Sequence, residues 1–311
     1  MTSSKSANGA NKGVINDSRK AFVSVILPAF NASAWIEETL QSLVSQSHEN
    51  FELLVLDDGS TDNTLEIIRR FERQDNRIRV FVQKNMGVIA ARNKLLDEAR
   101  GQYVMFQDAD DISTPDRMKK QVQLLQANPE AVGVSSWIEY FDSKPGAEIK
   151  TRKILRKPER VDAHWPSSIK DAPLGFSLPG STINYNHPLV KQLRFRPFFK
   201  GSEDVDFNLH LLSLGELMNT QTVQYRCRRH GKNTASRMLY NKIESSVLAR
   251  VFAYRRYHGR KDLVFRQQTP FLRLFCNGLT VHEFITSLFL IGRRLVKRLP
   301  KYILNRMSHP Q

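Results

Sequence analysis

Two short acidic stretches stand out in this 311-residue chain: Asp57-Asp58 in LLVLDDGSTDNT, and Asp108, Asp110 and Asp111 in FQDADDISTPDR. In the turn Asp108-Ala109-Asp110, alternate side chains can share one face and offer hard oxygen ligands to one divalent cation. Mg²⁺ or Mn²⁺ accepts one or two carboxylates and completes an octahedron with water and phosphate oxygens, so such a turn suits a metal that holds a diphosphate. The same residues also read as a solvated turn before a helix, with Thr114 as cap and Pro115 at the first helical position. Other nucleotide signatures are missing. No G-x-G-x-x-G follows the first apolar run and no G-x-x-x-x-G-K-[ST] occurs anywhere, which removes dehydrogenase and P-loop readings.

The elements that must position these carboxylates alternate in period. VSVILPAF (23–30), FELLVLDD (51–58), RIRVFVQK (77–84) and QYVMFQ (102–107) read as buried strands. Between them, AWIEETLQSLVSQ (34–46) places Ile36, Leu40, Leu43 and Val44 on one helical face. TLEIIRRFERQ and GVIAARNKLLDEA (87–99) supply two more helices, the first with Ser60, Thr61 or Asp62 as a possible cap. Strands separated by helices of this length imply βαβ units and an α/β fold with a mainly parallel sheet flanked by helices. Ligands of such sheets bind outside the carboxyl ends of the strands, and four strand ends there carry polar residues: Pro28 to Asn31, Asp57-Asp58, Asn85 with Gly87, and Asp108 with Asp110.

VSVILPAFN, LLVLDDGSTDNT, NMGVIAARN and YVMFQDADD, in this order, resemble the successive motifs of family 2 glycosyltransferases with the Rossmann-like GT-A fold. The resemblance runs from about residue 22 to 140 and continues more weakly to about 236. It implies an inverting, sugar-nucleotide-dependent transferase. Asp58 would contact the nucleotide base or ribose, Pro28, Phe30 and Asn31 would line the same pocket, and Arg92 would contact the nucleotide. Asp108 would lie near the ribose and Asp110 would hold the metal. GSEDVDFNLHLLSLG (201–215) resembles the family's ED motif, which makes Asp204 the expected base, with Glu203 second. In-line displacement at an anomeric carbon needs such a base opposite the diphosphate, while the metal stabilises the leaving charge. Ser202 followed by acids is also what helix capping and the helix dipole favour. YRCRRHGKNTAS (225–236) resembles a later segment near the diphosphate, so His230 would complete the metal shell or touch phosphate. By resemblance the donor is a UDP-sugar, and the acceptor a glycan or lipid-linked hydroxyl used in surface polysaccharide synthesis.

Charge divides the chain. The formal net charge is +16, and Arg226 to Gln311 alone carries 19 Lys and Arg against 3 Asp and Glu, which is the whole excess. That points to an anionic surface as partner for the last quarter rather than nucleic acid along the chain. Residues 1–21 read as a disordered polar leader without the apolar core of a signal peptide, 22–240 as the transferase domain (nucleotide half to about 140), and 241–311 as a helical basic extension. Within the extension, Val281, Phe284, Ile285, Leu288, Ile291, Leu295 and Leu299 fall near one helical face followed by a basic cluster. This is either an amphipathic helix on anionic lipid or a core-packing helix with a solvated end. The expected location is the cytoplasmic face of the plasma membrane. Cys227 and Cys276 fit neither a zinc pattern nor a disulfide framework. Trp165 and Phe176 are candidates for stacking on a sugar or for core packing. Two competing readings use the same features: a metal-dependent nucleotidyl or phosphoryl transferase, which lacks its glycine-rich entry motif, and a basic nucleic-acid-binding protein, which lacks interleaved aromatics.

Overall fold

A computed structural model of the chain describes residues 21–142, 150–155, 159–161, 182–184 and 190–230, with a few isolated positions besides. The leader, most of segment 141–187 including Trp165 and Phe176, and the basic helix expected after residue 280 lie outside the described residues.

The first half is three βα units and a fourth strand: β1 (Val23–Ala29), α1 (Ile36–Val44), β2 (Phe51–Asp57), α2 (Thr64–Gln74), β3 (Ile78–Val82), α3 (Val88–Glu98) and β4 (Tyr103–Phe106). The second half adds β5 (Ile112–Ser113), α4 (Arg117–Ala127), β6 (Ala131–Asp142), β7 (Lys150–Leu155), β8 (Arg160–Val161), β9 (Thr182–Asn184), α5 (Glu203–Leu212) and β10 (Glu216–Arg229). The sheet runs β3-β2-β1-β4-β9-β6-β10-β5. From β3 to β4 every pairing is parallel; β9 enters antiparallel between β4 and β6, and β6 and β10 are again parallel to each other. The α/β architecture with helices on both faces agrees with the GT-A expectation.

Helices cover both faces, so the central strand β2 is buried without alternation along all seven residues. One core layer joins Ile36, Leu40 and Leu43 of α1 with Ile68 and Phe71 of α2 and Met118 and Val122 of α4. The opposite layer joins Leu95 and Leu96 of α3 with Phe207 and Leu211 of α5. Pro28 sits in a central strand because the pairing of β1 with β4 ends at Ile26, two residues earlier, where a missing N–H breaks no ladder.

The cap expectations need correction. The cap position of α2 is Asn63, although Asp62 does accept the Thr64 N–H at 3.0 Å. That of α4 is Asp116, two residues past Thr114, which makes its carbonyl the acceptor for the Arg117 N–H at 3.1 Å instead of using its hydroxyl. The chain there first pairs β5 with β10, and this tertiary pairing delays the helix start. Among the described residues no helix is long and apolar enough to cross a membrane.

Candidate active site at the carboxyl ends of the strands

Because β2, β1 and β4 are neighbours, the polar tails of their strands meet. Asn31 adopts a left-handed conformation (φ 49°) that Asn tolerates, and its Oδ1 accepts the Thr61 N–H at 2.8 Å, tying the end of β1 to the end of β2. Phe30 beside it is exposed and Pro28 half-buried. Asp58 is buried, and its carboxylate takes the Gln83 side chain at 2.8 Å, the Met86 N–H at 2.9 Å and the Gly87 N–H at 2.8 Å. It therefore shapes the loop that leads into α3. Gly59 is required in the turn: φ is +75°, and a Cβ there would lie 2.8 Å from the Asn85 nitrogen. Its neighbour Asp57 accepts the Ser60 N–H through Oδ2, while its buried Oδ1 has no hydrogen-bond partner among the described residues.

The three carboxylates of the Asp108–Asp111 turn have three different fates. Asp108, 40% exposed, accepts from the Arg92 guanidinium at 2.8 Å. Asp110 meets the His230 Nε2 at 2.8 Å. Asp111 is buried, where Oδ1 accepts the Arg228 N–H at 2.8 Å and fixes β10 to the turn. Burial, followed by repulsion from its acidic neighbours, holds the Asp111 carboxyl well above the usual carboxylate range. Burial and Asp108 also raise the Asp110 carboxyl, against the opposing pull of His230.

Arg92 does more than its expected role as a nucleotide contact implies. Its other terminal nitrogen reaches Glu203 at 3.4 Å, so one half-buried guanidinium joins the end of β4 to the first turn of α5. Burial works against that charge, but the carboxylates of Asp108, Glu203 and Asp204 outweigh it and raise the guanidinium pKa. Glu203 itself is pushed up, first by burial, with Arg92 pulling down and Asp204 pushing up. Asp204 is half-buried on the next position of the helix. The structure thus brings Arg92, Asp108, Glu203 and Asp204 into one electrostatic cluster, and Asp110 with His230 into a pair on the same turn. Phe30 and Asn31 are exposed just past the end of β1.

Sequence reasoning missed the residues behind this layer. Arg228 is fully buried between Trp35 and Phe141, 4.7 Å from each ring centre, and its Nε donates to the Asp110 carbonyl at 2.9 Å. Trp35 also stacks on His230 at 5.1 Å. The strand alternation in YRCRRH, which puts Arg228 and His230 on one side, was the available signal. Arg117 is likewise buried under the turn, donating to Gln107 and Ser113 at 2.7 Å and to the Phe106 carbonyl at 2.8 Å, and lying over the Tyr225 ring. Burial lowers its pKa to about 10. No local pattern distinguishes that arginine from a solvated one in the first turn of a helix.

Among the described residues no group of three or more His, Cys, Asp or Glu is arranged to hold a metal by protein ligands alone. The Asp110 carboxylate and the His230 imidazole instead sit side by side, an oxygen and a nitrogen donor that could serve one divalent ion whose remaining ligands come from phosphate and water.

The acidic turn at the carboxyl ends of the strands and the acidic start of α5, on a sheet of this order, are the arrangement of a GT-A fold. The family model described as Glycosyl transferase family 2 matches residues 24–178. A glycosyltransferase of Haemophilus influenzae without a characterised activity is 38% identical over 175 residues, 50% of this chain and 70% of that protein. TuaG of Bacillus subtilis, whose name assigns it to teichuronic acid biosynthesis, is 43% identical over 107 residues, but these span only 34% of this chain and 42% of TuaG. The crystal structure of Staphylococcus aureus TarS in complex with UDP-GlcNAc superposes with a TM-score of 0.59 at 21% identity, covering 74% of this chain and 66% of that one. The chain belongs to glycosyltransferase family 2, and it spans only part of the length of several relatives that it matches, 42% in the case of TuaG.

Proposed function

We propose that the chain transfers a sugar from a nucleoside diphosphate sugar, with a UDP-sugar as donor, to a hydroxyl of a glycan or lipid-linked acceptor in surface polysaccharide synthesis, with inversion. One observation carries the reading. Residues 120 positions apart, Asp110 and His230, meet at 2.8 Å on the same turn whose Asp108 is tied to the helix bearing Glu203 and Asp204. In this reading the Asp110–His230 pair takes the diphosphate end and Asp204 the acceptor, with Arg92 tying the two together, as a single in-line displacement needs.

In this reading Phe30, Pro28, Asn31 and Asp58 form the nucleotide end, with Asp58 acting through the 83–87 loop it holds. Asp108 and Arg92 take the ribose and the neighbouring part of the donor. Asp110 and His230 hold Mn²⁺ or Mg²⁺, which when bound supplies charge stabilisation to the leaving diphosphate. Trp35, stacked on His230, keeps that ring aimed at Asp110. Asp204 takes the proton of the acceptor hydroxyl. TuaG and the UDP-GlcNAc complex of TarS support the polysaccharide context and the donor class by similarity.

Titration calorimetry with UDP in the presence and absence of Mn²⁺ tests the site. The wild type should bind UDP more tightly with Mn²⁺, and Asp110→Ala should abolish that difference. Equal Mn²⁺ enhancement in the variant removes Asp110 from the metal site. For location, we propose peripheral attachment to the cytoplasmic membrane face through the basic segment from Arg226 to Gln311. Its attraction to anionic lipid amounts to about 1 kcal/mol per Lys or Arg near the surface and is screened by salt. The full chain should cosediment with phosphatidylglycerol vesicles at low salt and come off as salt rises. Indifference to such vesicles at low salt overturns the attachment.

A further inference from the structure

α5 has no sheet pairing of its own to fix its start, yet it carries the acids on which turnover is proposed to depend. Two adjacent residues of α3 hold it. Asn93 Nδ2 donates to the Phe195 carbonyl at 2.8 Å, and Asn93 Oδ1 accepts the Phe195 N–H at 2.8 Å, so the segment before α5 is gripped in both directions. Arg92 lies over the Phe195 ring, 5.2 Å from its centre, and Phe195 stacks on Phe207 of α5 at 4.3 Å with ring planes 13° apart. Phe207 is one helical turn beyond Glu203, the residue that Arg92 also pairs with. Arg92 therefore reaches α5 twice, through an ion pair and through a ring stack, while its remaining arm holds Asp108 on the donor side.

Glu203 is occupied in this arrangement. One oxygen faces Arg92, and the other accepts the N–H of Gly201 at 2.8 Å, in a turn where Gly201 has φ 88°. A carboxylate with both oxygens engaged by the protein is held in one rotamer and is poorly placed to receive a proton from an acceptor.

We infer that Glu203 is a positioning residue rather than the base, and that Arg92 with Glu203 forms a strut that couples the donor carboxylate Asp108 to the placement of Asp204. The inference rests on the transferase reading given above and deepens it. Donor binding and base alignment then share one guanidinium, so loss of Arg92 costs both, whereas loss of the Glu203 charge costs alignment alone.

The test uses the full chain and two independent readouts. In the first, Glu203→Gln should lower kcat about 10-fold with the UDP dissociation constant changed less than about 2-fold, and Arg92→Lys should keep part of the activity that Arg92→Met loses. The acidic limb of the pH–rate profile should persist in Glu203→Gln, because the base that produces it is still present. Combining Arg92→Lys with Glu203→Gln should cost no more than the worse single change. Multiplying losses, or disappearance of the acidic limb in Glu203→Gln, overturns the assignment. The second readout needs no turnover: amide hydrogen exchange at residues 203–207 should rise at least about 10-fold in Arg92→Met, with β1 and β2 unaffected. Unchanged exchange there overturns the strut. If exchange responds while no nucleoside diphosphate sugar binds to the wild type, the strut stands and the transferase reading is what fails.

Discussion

The two ends of the same parallel strands treat carboxylates in opposite ways. At the amino end, Glu52 is buried and saturated: Oε1 accepts from Ser24 at 2.6 Å and from the Arg100 N–H at 2.9 Å, and Oε2 from Arg79 at 2.8 Å. Ser24 in turn accepts the Gly101 N–H at 2.8 Å. Every strong acceptor there has a donor, so the cluster closes the sheet and has no capacity left for a ligand. At the carboxyl end, Asp108, Asp110, Asp111, Glu203 and Asp204 crowd together with fewer cations between them, and three of the five, Asp110, Asp111 and Glu203, are held above the usual carboxylate range. Burial raises all three first, and repulsion between neighbouring acids adds to it. An acid matched by its own fold stabilises the fold, whereas acids left in excess favour an incoming cation or proton.

The comparison can be broken at either end. The largest effect is expected at the carboxyl end, where Asp204→Asn should reduce turnover by roughly 10² or more, the scale of general-base loss, with UDP affinity nearly intact. Steady-state kinetics alongside calorimetry checks this; full activity in the variant would reduce the acidic helix start to a helix-dipole feature. The next effect belongs to the amino end. A Cβ on Gly101 would lie 2.4 Å from the Ser24 nitrogen, so Gly101→Ala must displace backbone and open the Glu52 cluster. It should cost about 2 kcal/mol or more in urea unfolding while UDP affinity per folded molecule stays the same. Loss of UDP binding without loss of stability would mean that the two ends are not separable.

The smallest effect is a change in pH dependence. The Asp111 carboxyl has its folded pKa raised, so it binds a proton more tightly folded than unfolded. Its contribution to stability is present below the ordinary carboxylate pKa of about 4 and is lost as pH rises through the raised value. Asp62 and Asp75 have lowered values and behave in the opposite sense, contributing above that range and losing it as pH falls. The melting temperature of Asp111→Asn relative to the wild type should therefore move in the variant's favour between pH 4 and pH 8. A difference independent of pH would mean that Asp111 titrates alike in both states.

Much of the first half is legible in the sequence alone. The span of α2 coincides with TLEIIRRFERQ, and the strands around it fall within a residue or two of their apolar runs. Local periodicity is enough for this, because a βαβ unit buries each element on neighbours close in sequence. The cap of α4 was misplaced because β5 pairs with β10, more than a hundred residues away, before the helix begins. Nothing in AWIEETLQSLVSQ marks Trp35; only its contacts with Arg228 and His230 give it a part in the site.

The sequence by itself determined the order of the elements and put the acidic residues at strand ends, since hydrophobic period and turn chemistry act over a few residues. Which acid takes which cation was decided by the tertiary structure. Arg92 and Glu203 are 111 positions apart, and Asp110 and His230 are 120 apart. These pairs exist because β9 enters antiparallel beside β4, returning the chain to lay α5 against α3 and the end of β10 against the acidic turn. Strand order sets such meetings, and no pattern of local spacing encodes it.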